Sequence, residues 1–116
     1  MPFIGNLPSV GPNQKQTLGI DFGDFLPGGT TLTGTPTATL TISFGADPNP
    51  QSRISGGPDV GTIPVSLGGT GAADAAVILQ IYQCVSGTSY VLDVYCNRSD
   101  GDIVEATTRF TCDGPG

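Results

Sequence analysis

The chain is written in short alternating runs separated by turn residues. The clearest pair lies near the C-terminus, where Tyr90, Leu92, Val94 and Cys96 alternate with Val91, Asp93 and Tyr95. Beyond the stretch 97–102, Val104, Ala106, Thr108, Phe110 and Cys112 alternate with Glu105, Thr107, Arg109 and Thr111. A period of two on both sides of a Ser-Asp-Gly turn predicts a β-hairpin with one buried face. A two-residue turn at Asp100-Gly101 would set Val94 against Thr107 and mismatch the two apolar sets. A three-residue loop, Ser99 to Gly101 with Gly101 left-handed, instead sets Cys96 against Val104, Val94 against Ala106 and Tyr90 against Phe110. That bulged loop is the expected one, because burial of one face fixes register.

Upstream the same grammar repeats. Leu18, Ile20 and Phe22 alternate with Gly19 and Asp21, predicting a short first strand closed by a turn at Pro27-Gly28-Gly29. Thr37 to Phe44 predicts a strand with Ala38, Leu40, Ile42 and Phe44 inward, broken by the proline-rich stretch 46–50. Residues 53–57 read as a short edge piece, and 60–67 as a further strand whose Pro64 suits an edge or a bulge. The glycine-rich stretch 68–71 reads as a flexible loop. Residues 75–84 form the most apolar run, with Val77, Leu79 and Ile81 on one face and Ile78 and Tyr82 on the other, as in a strand covered on both sides. No window shows a helical period. About seven short strands predict an all-β fold, an immunoglobulin-like β-sandwich over residues 15–116. Residues 1–14 hold three Pro and two Gly, with Phe3, Ile4, Leu7 and Val10 as isolated apolar points. Such a segment buries too little to order itself, so it is expected to be an extended arm.

Composition narrows the function. At 116 residues the chain is long enough for one modest core. With 18 Gly, 10 Pro and only 12% charged residues, it suits many turns and few helices. A net charge of −6 with four basic residues argues against nucleic-acid binding and against anionic membranes. No apolar run approaches the roughly 20 residues that span a bilayer. The first residues lack the basic and apolar regions of a secretory signal, so reduced thiols are the default and the Asn97-Arg98-Ser99 sequon is incidental.

Candidate chemistry is sparse. There is no His, which removes the commonest general base and metal ligand. The cysteines lack zinc spacing, and the 68–71 glycines lack the Gly-Lys-Ser/Thr of a phosphate loop. Asp100 and Asp102 flank a turn glycine, where turn chemistry explains them better than a weak calcium site. Asp21 and Asp24 show no pocket signature. No catalytic, cofactor or metal residue is therefore assigned, and an enzyme is not expected. In the bulged register Cys112 faces the region near Thr88, four residues past Cys84, whereas Cys96 lies roughly 26 Å along the strand at ~3.3 Å per residue. A bridge tolerates about 7 Å between Cα atoms. Three half-buried thiols are the default; an intrachain disulfide, if formed, joins Cys84 to Cys112 and leaves Cys96 free; a bridge between subunits is a third state.

The stretch Lys15 to Thr30 (KQTLGIDFGDFLPGGT), Val85 to Tyr90 (VSGTSY) and the terminal hairpin together resemble small virion proteins of tailed bacteriophages, the fibre–tail adaptor family. The resemblance rests on an aromatic-acidic opening (Ile20-Asp21-Phe22 and Phe25-Leu26), a threonine-rich strand, a Gly-Thr-Tyr start and a hairpin around a glycine turn. It covers about residues 15–112. Two departures stand out: the family usually has Trp where Phe22 and Phe25 stand, and residues 45–75 are longer and richer in Pro and Gly. The resemblance implies a non-enzymatic structural protein of the virion, made in the host cytoplasm and docking on capsid, connector, tail or fibre proteins. It would act as an adaptor, or alternatively as a capsid decoration protein; a homo-oligomer is open. The expected contact points are Phe3, Ile4, Leu7 and Val10 of the arm, with Pro48 and Pro50 of the loop 45–59. A carbohydrate-binding, adhesin-like sandwich is the competing class, disfavoured by the absence of Trp.

Overall fold

The structure, a computed structural model, describes residues 9–67 and 69–113, together with the backbone of a strand at Phe3–Asn6. Among these residues the strands are β1 (Phe3–Asn6), β2 (Lys15–Asp21), β3 (Leu32–Phe44), β4 (Ile54–Gly61), β5 (Ala76–Tyr82), β6 (Ser89–Arg98) and β7 (Ile103–Thr111). No α-helix occurs among them; short 3-10 turns lie at Gly23–Phe25, Pro50–Arg53 and Val65–Leu67. The antiparallel strands make two three-stranded sheets, β3-β6-β7 and β2-β5-β4, and β1 extends the first by pairing parallel with β7. Leu18 and Ile20 of β2, Leu79 and Ile81 of β5, and Leu92, Val94 and Phe110 of β6 and β7 share one buried cluster. The protein is all-β, in an arrangement compatible with a β-sandwich.

The β6–β7 hairpin has the bulged register. Cys96 faces Val104, Val94 faces Ala106 and Tyr90 faces Phe110. Gly101 takes φ +96°, and its N–H donates to Arg98 O at 3.0 Å across the three-residue loop. The Tyr90 and Phe110 rings stack with centroids 5.1 Å apart.

Four local expectations need correction. β3 buries Ala38 and Leu40, but Ile42 and Phe44 are 37% and 72% exposed. A register shift between Ile42 and Phe44 breaks the alternation where the strand runs off the end of the core. The 53–57 piece and the 60–67 strand are in fact one strand, β4, and residues 65–67 are a 3-10 turn. Pro64 has no N–H for a ladder, and its carbonyl instead accepts the N–H groups of Leu67 and Gly69. The loop around Thr70 is tethered rather than loose: Thr70 N–H and Oγ1 donate to the Asp21 carboxylate at 2.9 and 3.0 Å. Finally, Val10 does not belong to a free arm. It is fully buried, its N–H donates to Thr111 O, and its carbonyl accepts Asp113 N–H, both at 3.0 Å.

On β5, Val77, Leu79 and Ile81 are buried while Ile78 is half-buried. Ile63, from the segment after β4, lies over Gly19 beside Ile78, and gives that outer face a partial cover. The loops 44–53 and 83–88, with Val10 and Cys112, gather at one end of the molecule; 22–31, 62–75 and 99–101 gather at the other.

Candidate docking surface

The end that carries the 44–53 loop is built around one buried carboxylate. Pro48 and Pro50, on both sides of Asn49, stop any strand, and Asp47 folds back to accept Asn49 N–H at 3.0 Å. Its side chain is fully buried and accepts Arg53 Nε and Nη2 at 2.9 and 3.0 Å, a bidentate pair. The Tyr90 hydroxyl donates to the same carboxylate at 2.7 Å and accepts Val85 N–H at 2.9 Å. Tyr90 thus ties the 44–53 loop to the 84–89 corner through a single oxygen. The Arg53 hydrogen bonds hold the Asp47 carboxyl well below the usual carboxylate range; burial opposes them, while the Tyr90 and Asn49 donors assist. The same arrangement raises Arg53, chiefly through its bonds to Asp47, and burial raises the Tyr90 hydroxyl.

A second lock lies beside the first. Gly87 N–H donates to Cys112 O and Cys112 N–H to Thr88 O, both at 2.9 Å, which lays the corner against the end of β7. Cys84 and Cys112 are bonded, with Cα atoms 6.0 Å apart. The default of three thiols therefore gives way at these two positions, because the corner brings them within bridging distance. Cys96 is a free, buried cysteine; its thiol donates to Thr33 O at 3.4 Å, and burial pushes its pKa up.

What the two locks present is a fixed apolar and proline surface. Phe44 is 72% exposed at the root of the loop, Pro48 is exposed at its tip and Pro50 is half-exposed. Of the other expected contact points, Phe3 and Ile4 sit on β1, whose backbone pairs with β7, and Leu7 lies outside the described residues. Val10 is core and presents nothing to a partner. Sequence reasoning missed Phe44 as a surface residue and Asp47, Arg53 and Tyr90 as the clamp behind it. The one signal in the chain is the tyrosine itself, since a buried tyrosine hydroxyl needs a partner; nothing local names Asp47 as that partner.

The opposite end is also pinned. Ser99 N–H donates to Thr31 O at 2.8 Å, and Thr31 N–H to Ser99 Oγ at 3.1 Å. Asp100 accepts Asp102 N–H and pairs with Arg98, whose guanidinium holds its carboxyl below the ordinary value. Both groups are thus spent on the turn. Among the described residues no group of three or more His, Cys, Asp or Glu is placed to hold a metal ion. No protein-family model, no curated protein and no solved structure matches this chain.

Proposed function

We propose that this chain is a non-enzymatic structural protein of a tailed-bacteriophage virion, an immunoglobulin-like module that docks on other virion proteins as an adaptor between the tail region and the fibres. The observation that carries the docking reading is Phe44, 72% exposed as the last residue of β3, at the root of the loop pinned by the Asp47–Arg53–Tyr90 cluster. A large apolar side chain carried on backbone that is already tied down can be buried by a partner at little cost in backbone ordering, which is what a docking anchor requires. Two features support the immunoglobulin-like topology. The orders β2-β5-β4 and β3-β6-β7 correspond to the B-E-D and C-F-G sheets of that fold, and the Tyr90 hydroxyl bonds back to the backbone at the corner before its strand. The phage assignment rests on the resemblance over residues 15–112. Within it, Val85 to Tyr90 is the corner that Tyr90 closes, so that motif speaks for architecture, and the partner must be found by experiment.

The test is cosedimentation of the purified protein with phage particles that lack it, comparing tailless heads with whole virions. Binding only when the tail is present is the expected result. Binding to tailless heads would favour a capsid decoration role, and binding to neither would return the carbohydrate-binding class to the front.

A further inference from the structure

Among the described residues the two sheets have four edges, which can expose backbone groups to another strand, and three of the four are blunted. β1 is only four residues long. On β3, the Gln51 side chain imitates a neighbouring peptide: Nε2 donates to Ala38 O and Oε1 accepts Leu40 N–H, both at 2.8 Å. On β4, Pro58 lacks an N–H and the register shifts twice. β2 has none of these devices. It runs seven residues without Pro or register shift, in unbroken pairing with β5.

The free side of β2 can be read residue by residue. Phe22 N–H donates to Ala75 O at 2.8 Å, one step beyond the Asp21–Ala76 pair. Antiparallel pairs alternate, so the even residues Gln16, Leu18 and Ile20 bond to β5, while Lys15, Thr17, Gly19 and Asp21 turn N–H and C=O outward. Among the described residues, Thr17 O accepts the side-chain amide of neighbouring Gln16, at 3.2 Å.

We propose that β2 pairs antiparallel with β2 of a second copy of this chain, about a two-fold axis through Leu18, joining two three-stranded sheets into one. In this register Lys15 lies opposite Asp21 and Thr17 opposite Gly19, so every outward-facing residue meets an outward-facing residue. It is the self-pairing that uses all four. It sets Lys15 of each copy against Asp21 of the other, an opposite-charge cross-strand pair made twice. Among the described residues the Asp21 carboxylate accepts from uncharged donors, Gly23 N–H and the Thr70 N–H and hydroxyl, so its charge is not neutralised within the copy. Leu18 meets Leu18 on the core side, keeping the apolar faces of both sheets aligned. Gly19 brings no side chain of its own opposite Thr17, and Ile63 of the same copy lies over it on the outer face.

Sedimentation velocity across a dilution series, with amide hydrogen exchange on the same samples, tests this. The expected result is a concentration-dependent dimer in which the Lys15, Thr17, Gly19 and Asp21 amides gain protection as the dimer fills. Thr17→Pro removes an outward N–H without touching the β5 ladder, and should give a folded monomer by circular dichroism. Should that variant fail to fold, Lys15→Glu decides: it places like charges opposite Asp21 twice and should weaken the dimer by about tenfold. A monomer at every concentration, or a dimer whose four amides exchange as fast as in the dilute protein, overturns the proposal. A Lys15→Glu dimer as tight as the parent overturns the register.

Discussion

At the scale of single residues, Asp47 is the position on which most depends. Its carboxylate has no water to fall back on, so loss of its charge strands Arg53 and the Tyr90 hydroxyl together. Asp47→Asn should cost about 3 kcal/mol, in the range for breaking a buried pair from one side. Tyr90→Phe, which keeps the ring on Phe110 but frees Val85 N–H and one carboxylate lone pair, should cost about 1–3 kcal/mol. Urea denaturation of the three proteins at neutral pH measures both. Because the folded Asp47 value lies below its unfolded one, the stability it contributes is present above the unfolded value of about 3.9 and is lost as pH falls toward the folded value. The parent should therefore lose stability progressively below about pH 5, and the Asp47→Asn variant should show a shallower acid limb. This cluster was not legible in the chain. Asp47, Arg53 and Tyr90 each read as ordinary loop or strand residues, and only tertiary contact reveals the Tyr90 hydroxyl on a carboxylate 43 residues away.

At the scale of elements, the final hairpin was the most legible part, since two apolar sets must be matched and only one loop length matches them. The edges were the least legible. Nothing local marks Gln51 as a strand's surrogate partner, and the turn at 65–67 reads as strand until Pro64 is seen to begin it. The N-terminal segment divides at Val10, whose two backbone bonds and complete burial place it with β7. Removal of residues 1–8 should leave a folded protein that loses only the short parallel strand. Removal of 1–14 empties a buried valine site and should lower the melting temperature clearly further, as two truncations in one thermal scan would show. The Cys84–Cys112 bond closes a 28-residue separation. In the chain-entropy account its loss should cost about 3–4 kcal/mol, measurable as a drop in denaturation midpoint for Cys84→Ala/Cys112→Ala against the parent.

At the scale of the whole molecule, the two sheets share one core and each end carries loops fastened to one another. Rigid loops on a rigid scaffold suit recognition, because little freedom remains to be lost on binding. Phe44→Ser together with Pro48→Ser should leave stability within about 1 kcal/mol, since both side chains are exposed. The same pair should reduce cosedimentation with tailed particles by tenfold or more if this end is the anchor. Equal binding would move the docking surface to the other end, where Phe25 is 48% exposed.

The parallel course of β1 and β7 has a mechanical consequence. Tension applied before Phe3 and beyond Asp113 would pull the two strands past one another along their length. Their hydrogen bonds, with those flanking Val10, would then share the load in shear instead of opening one at a time like a zipper. The covalent link between Cys84 and Cys112 would withhold the chain between them from any extension. In the proposed adaptor role, such a protein would yield late and by a short distance.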